Sequence, residues 1–238
     1  MQLLFPKGNI DYATSMKWFE PIASDSDKDI EKIYVFEHQD VYTAGKSINK
    51  KNTEKQQFIN HTPVIYTSRG GLWTWHGKGQ VIVYFIYNLR KRNIALSDFM
   101  SLVEQTVIEN TNKLLFESPQ NETLKTQLQI YADSNKRGFW VKNNSTECND
   151  VAKFGFIGLR VSHGYVYHGI SINFNNNLSA FDYIDPCGLG GVKITSIKEI
   201  YNLLHQDNIK LPNINTFKQT LGDKLFTTLN SIGSRIIT

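Results

Sequence analysis

Cysteine is nearly absent from this chain, with 2 in 238 residues. That excludes a disulfide-stapled scaffold and any cysteine-rich zinc module. Proline is sparse too, and no stretch rich in Gly, Pro or Ser divides the sequence. Charged residues make up only 20%, with a net charge of +4. No run of Lys and Arg is dense enough to imply a nucleic-acid surface, although the mild excess suits acidic partners. Long apolar runs are also missing. The most apolar stretch, Val81–Tyr87, falls far short of the roughly 18 residues a membrane-spanning helix needs. Met1–Ile10 has neither the basic start nor the apolar stretch of a secretory signal. The Asn-x-Ser/Thr triplets, such as Asn144-Ser145-Thr146, then read as accidents of an Asn-rich chain. The expectation is a soluble cytoplasmic protein with reduced thiols and no membrane contact.

What the chain does have is aromatic: 14 Phe, 11 Tyr and 4 Trp, far more than a solvated polymer carries. A chain of this length can bury a substantial core. Ile33–Phe36 and Val64–Thr67 read as short strands, the first followed by a turn-prone stretch ending at Gly45, with a polar surface loop at Lys50–Gln57. Val81–Tyr87 has the continuous apolar character of a strand buried on both faces. A helix follows, with Ser97 as its cap, Asp98 in its first turn, and Phe99, Met100, Val103, Val107 and Leu114 near helical spacing; Pro119 lies beyond its end. Gln127–Tyr131 and Gly138–Lys142 look like strands joined through Asp133–Arg137. Val151–Val161 and Tyr165–Phe174 look like two more, joined at Ser162–Gly164. In the latter, Val166, His168, Ile170, Ile172 and Phe174 alternate onto one face. Ser196-Ile197-Lys198-Glu199 forms a capping box before a helix reaching about Leu204, and a last helix carries Phe217, Leu221, Leu225 and Leu229. With no internal repeat, the expected organisation is one α+β domain over residues 1–238.

Three clusters could carry chemistry. The first runs from Ser68 to Gln80 and holds four glycines, the cation Arg69, the titratable His76, and Trp73 and Trp75. It has neither the GxxxxGK[ST] order of a phosphate loop nor GxGxxG before a helix. Its glycines are equally consistent with a plain turn between strands. The second is Lys153–Arg160. Alternation puts Lys153 on the face of Gly155 and Ile157, so its amine could stand over a glycine-lined surface; the bland alternative is a strand-edge lysine that blocks aggregation. The third is Asp185–Gly191, where Pro186 and Gly188 put Cys187 on a turn with an accessible sulfur, against the default of a small buried hydrophobe. Cys148 sits in a polar loop with no companion groups and receives no role. The 6 His and 2 Cys show no ligand pair such as CxxC or HExxH, so no metal is expected. A Cys–His pair stays open, with His76 or His168 beside Cys187, though His168 on an apolar face reads better as a structural histidine bonded to backbone.

Taken in order, these clusters resemble the lipoyl(octanoyl) transferases. The resemblance rests on Arg69-Gly70-Gly71-x-x-Thr74-x-His76-Gly77-x-Gly79-Gln80, Lys153…Gly158-x-Arg160-Val161, His168-Gly169, Asn173, and Asp182…Pro186-Cys187-Gly188. Glu37-His38 and Val41-Tyr42-Thr43-x-Gly45 resemble the family's earlier strand and turn. It spans about Ile33 to Ser196. It implies an α+β fold with a mixed sheet flanked by helices, as in biotin protein ligases and lipoate–protein ligases. It also implies a reaction without ATP or any cofactor: octanoyl moves from octanoyl-acyl carrier protein to a lysine of lipoyl domains. Acceptors in the family are 2-oxoacid dehydrogenase subunits and the glycine cleavage H protein.

By the same resemblance Cys187 is the nucleophile and Lys153 its activator. Arg69, Gly70, Gly71, Leu72, Trp73, Thr74, Trp75, His76, Phe156, Ile157, Gly158, Gly169, Ile170 and Ser171 would line the acyl site, glycines letting the chain lie against backbone. Ser68 stands where the family usually has Asp, Lys78 where it has Pro, and Asp185 where it has Asn. Two rivals share residues with this reading. An ATP-dependent lipoate or biotin ligase activates the acid as an adenylate and needs no cysteine; a non-catalytic lipoyl- or biotin-binding regulator needs neither Cys187 nor Lys153.

Overall fold

The computed structural model describes residues 1–19, 29–49, 55–116, 126–133, 135–144, 150–186, 188, 190–204 and 211–233. In chain order the described strands are β1 (Gln2–Leu4), β2 (Asn9–Ile10), β3 (Lys32–His38), β4 (Val41–Ala44), β5 (Phe58–Ile59), β6 (Thr62–Tyr66), β7 (Trp73–His76), β8 (Gln80–Asn88), β9 (Leu128–Ala132), β10 (Phe139–Asn143), β11 (Asp150–Ser162), β12 (Tyr165–Asn173) and β13 (Lys193–Ile194). The helices are α1 (Tyr12–Met16), α2 (Lys46–Asn49), α3 (Leu96–Phe116), α4 (Ile197–Leu204) and α5 (Ile214–Asn230).

The large sheet runs β1-β3-β8-β12-β11-β10-β9, with β2 beside β3 and β13 beside β11. Its main ladder from β3 to β9 is antiparallel, while β1, β2 and β13 add in parallel. A smaller sheet runs β5-β6-β4-β7. The mixed sheet with helices is the architecture expected from the sequence.

Strand β8 explains why its sequence does not alternate. Val81, Val83, Phe85 and Tyr87 enter a core shared with α3, α4 and α5, while Ile82, Tyr84 and Ile86 pack on the opposite face with Phe19, Tyr34 and Phe36. Both faces are dry, so every position from Val81 to Tyr87 is apolar or aromatic. Phe99, Val103 and Val107 of α3 and Phe217, Leu221, Leu225 and Leu229 of α5 meet this core as their helical spacing predicts.

Some local expectations need correction. Val41–Ala44 is a fully buried strand rather than part of a turn, because β6 and β7 pair with it on either side. Ser97 lies inside α3, whose first turn begins one residue earlier. The capping box at α4 closes on one side only. Ser196 Oγ accepts from the Glu199 amide at 3.2 Å, but the Glu199 carboxylate takes the Thr195 hydroxyl at 2.7 Å instead. Part of the loop expected at Lys50–Gln57, as well as Pro119, Ser145, Thr146 and Cys148, lies outside the described residues.

Candidate active site

Between the two sheets lies a cavity of about 330 Å³, at the small end of ligand-binding clefts. Strands β11 and β12 contribute Lys153, Phe156–Leu159 and His168–Ser171; the segment Arg69–Thr74 with His76 lies across from them, and Tyr84, Asn135–Arg137 and Pro186 complete the wall. Ile157, Leu159 and Ile170 pack their side chains into the helix-side core, so what they offer the cavity is mainly backbone.

Arg69 fixes one wall. Its side chain is buried and donates to Thr43 Oγ1 and O, Gly70 O and Leu72 O at 2.7–3.0 Å. No carboxylate among the described residues bonds to it. Burial pulls its pKa below the usual guanidinium value, yet a guanidinium stays charged in proteins. The result is a cation held by carbonyl and hydroxyl dipoles, clamping the segment that follows it onto β4.

Lys153 occupies another wall. It is 4% exposed, and its ammonium donates to Arg137 O at 2.8 Å and lies 4.9 and 5.0 Å from the ring centroids of Trp140 and Phe156. Such a setting of carbonyl oxygen and aromatic faces suits an ammonium held out of bulk water. It is not an edge lysine, since β11 is flanked by β10, β12 and β13. Nor does it share a face with Ile157. The β10–β11 register slips at Phe139/Trp140, so Gly155 pairs with Phe139 and Lys153 with Trp140. The extra residue, Phe154, turns into the helix-side core, and beyond this bulge it is Phe156 that comes to the Lys153 face. Gly138 makes room for the amine: its φ is +145°, and a Cβ there would collide with Lys153 Cε.

Three histidines surround the aromatic floor, all buried and all with pKa values depressed by desolvation. His38, held down to about 4, donates from Nδ1 to Ile10 O at 2.8 Å and accepts at Nε2 from the Tyr84 hydroxyl at 3.0 Å. That tautomer follows because a carbonyl can only accept. His76 donates from Nδ1 to Gln80 Oε1 at 2.7 Å; Gln80 Nε2 donates to Asn173 Oδ1 at 2.9 Å, and Asn173 Nδ2 to Thr195 O at 3.1 Å. The Thr195 amide then donates to Lys153 O at 2.9 Å. A continuous hydrogen-bond chain thus links the cavity histidine to the strand that carries Lys153.

His168 departs from its expected role. It is buried, but its φ is +59° and its ring turns away from Ile170 to pack against Phe19, Tyr84 and Tyr167. Among the described residues no backbone group bonds to its ring; Nε2 lies 3.4 Å from Ser68 Oγ.

Of the residues expected to line an acyl site, Arg69, Gly70, Gly71, Leu72, Trp73, Thr74, His76, Phe156, Ile157, Gly158, Gly169, Ile170 and Ser171 meet at this one cavity. Trp75 does not. It points the other way along β7, edge-on to Phe181 at 6.0 Å. Gly155 is likewise off the cavity, and Gly169, although it lines it, answers to sheet packing, since a Cβ there would strike Val83 O. Cys187 and Leu189 lie outside the described residues. Their neighbours do not: Pro186 lines the cavity, the Gly188 amide donates to Asp185 Oδ1 at 2.7 Å, and Gly188 lies against Leu72. Sequence reasoning missed Tyr84, Leu159 and Asn135–Arg137. Alternation in Val81–Tyr87 could have put Tyr84 opposite Val83, but not said which face meets a ligand.

Among the described residues no group of His, Cys, Asp and Glu could hold a metal ion, and no helix is long and apolar enough to cross a membrane.

The chain is 34% identical over 197 residues to the octanoyltransferase of Rickettsia felis, covering 80% of this chain and 85% of that protein. Its fold resembles a lipoate protein ligase structure from T. acidophilum with bound lipoic acid, with TM-score 0.61 at 11% identity over 96% of this chain and 86% of that one. It also resembles a biotin protein ligase from Leishmania major, with TM-score 0.51 at 12% identity over 98% and 74%. The lipoyl protein ligase A/B catalytic domain matches residues 11–226, and the chain belongs to that family.

Proposed function

We propose that the chain is an octanoyltransferase of lipoate biosynthesis that works through a Cys187 thioester. The carrying observation is the meeting of the buried Lys153 amine and of Pro186, which directly precedes Cys187, at one cavity. An unperturbed thiol has a pKa near ~8.5, so only a small fraction is thiolate at neutral pH. An ammonium beside it favours the charged form by opposite charge.

The thiolate attacks the carbonyl carbon of octanoyl-acyl carrier protein. The bond to the carrier sulfur breaks, and that sulfur leaves with a proton from Lys153. The new thioester has nearly the energy of the old, so no ATP is consumed. The ε-amine of a lipoyl-domain lysine then attacks. Its proton passes to Lys153, the cysteine leaves as thiolate, and the more stable amide drives the step. The octanoyl tail lies along Phe156–Gly158 and Gly169–Ser171, where each buried methylene contributes about 0.8 kcal/mol. Lipoyl domains of 2-oxoacid dehydrogenase subunits and the H protein are the proposed acceptors, and the reducing cytoplasm the setting.

Intact-mass measurement and peptide mapping test this after mixing the protein with octanoyl-acyl carrier protein without ATP. An octanoyl adduct on Cys187, discharged by a lipoyl domain, is expected. No adduct, with transfer appearing only when free octanoic acid and ATP are supplied, would move the chain to the ligases.

A further inference from the structure

We propose that His168 is the end wall of the acyl cavity and sets the length of chain the enzyme accepts; this rests on the acyl-transfer reading above. Lys153 and His168 stand at opposite ends. The Lys153 ammonium lies 5.0 Å from the Phe156 ring, and Leu159, the cross-strand partner of His168, lies three residues beyond Phe156 on β11, about 10 Å of strand at ~3.3 Å per residue. With the reacting carbonyl near Lys153, the tail runs toward His168.

Behind that ring lies a second, mostly apolar cavity of about 450 Å³, lined by Tyr12, Met16, Phe19, Ser68 and Tyr167 among others. Among the described residues, His168 is the one that lines both cavities. Its chain neighbours divide between them, Tyr167 on the far side and Gly169 on the near side, as do Ser68 and Arg69 across from them. The partition is therefore one side chain thick at this point. The ring is wedged between Phe19 and Tyr167, at centroid distances of 5.0 and 5.2 Å. Its Nδ1 has no hydrogen-bond partner among the described residues. Removing the ring thus deprives no buried group of a strong partner, and the positive φ favours glycine or asparagine in its place.

The test compares octanoyl-, decanoyl- and dodecanoyl-acyl carrier protein as donors for the native enzyme, His168→Gly and His168→Asn. The ratio of dodecanoyl to octanoyl kcat/KM is expected to rise about tenfold or more in His168→Gly, with a smaller rise in His168→Asn. An unchanged ratio in variants with native circular dichroism would overturn the proposal. If the glycine variant does not fold, the asparagine variant carries the same comparison. Calorimetric titration with free octanoate and dodecanoate needs no turnover. A gain in dodecanoate affinity on opening the wall supports the gate even if no protein transfers an acyl group, an outcome that sinks the reaction alone. The same length preference in all three proteins sinks the gate.

Discussion

The Lys153 ammonium donates to the carbonyl oxygen of Arg137 at 2.8 Å while its strand is joined, through Thr195, Asn173 and Gln80, to His76 on the other side of the cavity. A main-chain carbonyl therefore orients the amine, and a satisfied polar network holds the strand that carries it. If the amine handles the proton in both transfer steps, Lys153→Ala retains the fold and loses about 10²–10⁴ in kcat. Unchanged turnover in that variant would remove Lys153 from the mechanism.

Gly138→Ala should act on the same amine by displacing its stem. A Cβ at this position meets Lys153 Cε, and the φ of +145° is itself strained for any L side chain. The expected result is a fall in kcat of about tenfold to a hundredfold with little change in KM for the carrier protein. A rise in KM with kcat intact would mean that Gly138 serves binding and not the position of the amine.

Asn173 tests the network. It is fully buried, accepts from Gln80 and donates to Thr195. Asn173→Ala removes one bond from each partner; Gln80 Nε2 keeps Trp75 O at 3.2 Å, so the loss falls mainly on Thr195 O, at about 1–3 kcal/mol before relaxation. Urea unfolding should show the lower midpoint with an unchanged slope. A variant as stable as the native protein would show that water or repacking replaces the amide.

Acid should weaken the protein through its buried histidines. His38 is held down to about 4 and His168 to about 3, in each case first by desolvation, against an ordinary value of 6.5. Below that ordinary value the unfolded chain binds protons that the folded chain refuses. The stability from keeping these rings neutral is thus complete above about pH 6.5 and is lost as pH falls toward the folded values, by up to ~1.4 kcal/mol per pH unit per ring. His38→Asn keeps an N–H for Ile10 and does not titrate, so its Tm should fall less steeply between about pH 6.5 and 4 than that of the native protein. Parallel slopes would contradict this account of His38.

Much of the architecture was legible because the signals are local and periodic. Leu221 and Leu225 sit one helical turn apart, and both are fully buried. The apolar run at Val81–Tyr87 announced a strand with two dry faces. The order of motifs from Arg69 to Gly188 likewise assembled most of the cavity wall before any coordinates. Alternation failed at two places, each with a physical cause. At Lys153 a bulge changes the parity of β11, so Phe156 rather than Ile157 shares its face. At His168 a positive φ turns the ring out of the row formed by Val166 and Ile170.

The sequence by itself determined the main strands and helices, the two dry faces of Val81–Tyr87 and the resemblance to the family, because hydrophobic period and motif order are properties of the chain alone. Only the tertiary structure decided which backbone groups receive the Lys153 and Arg69 cations, that Trp75 turns away from the cavity, and that His168 divides one cavity from another. Those outcomes depend on strands far apart in sequence meeting in a particular register, and no local pattern carries a register across that distance.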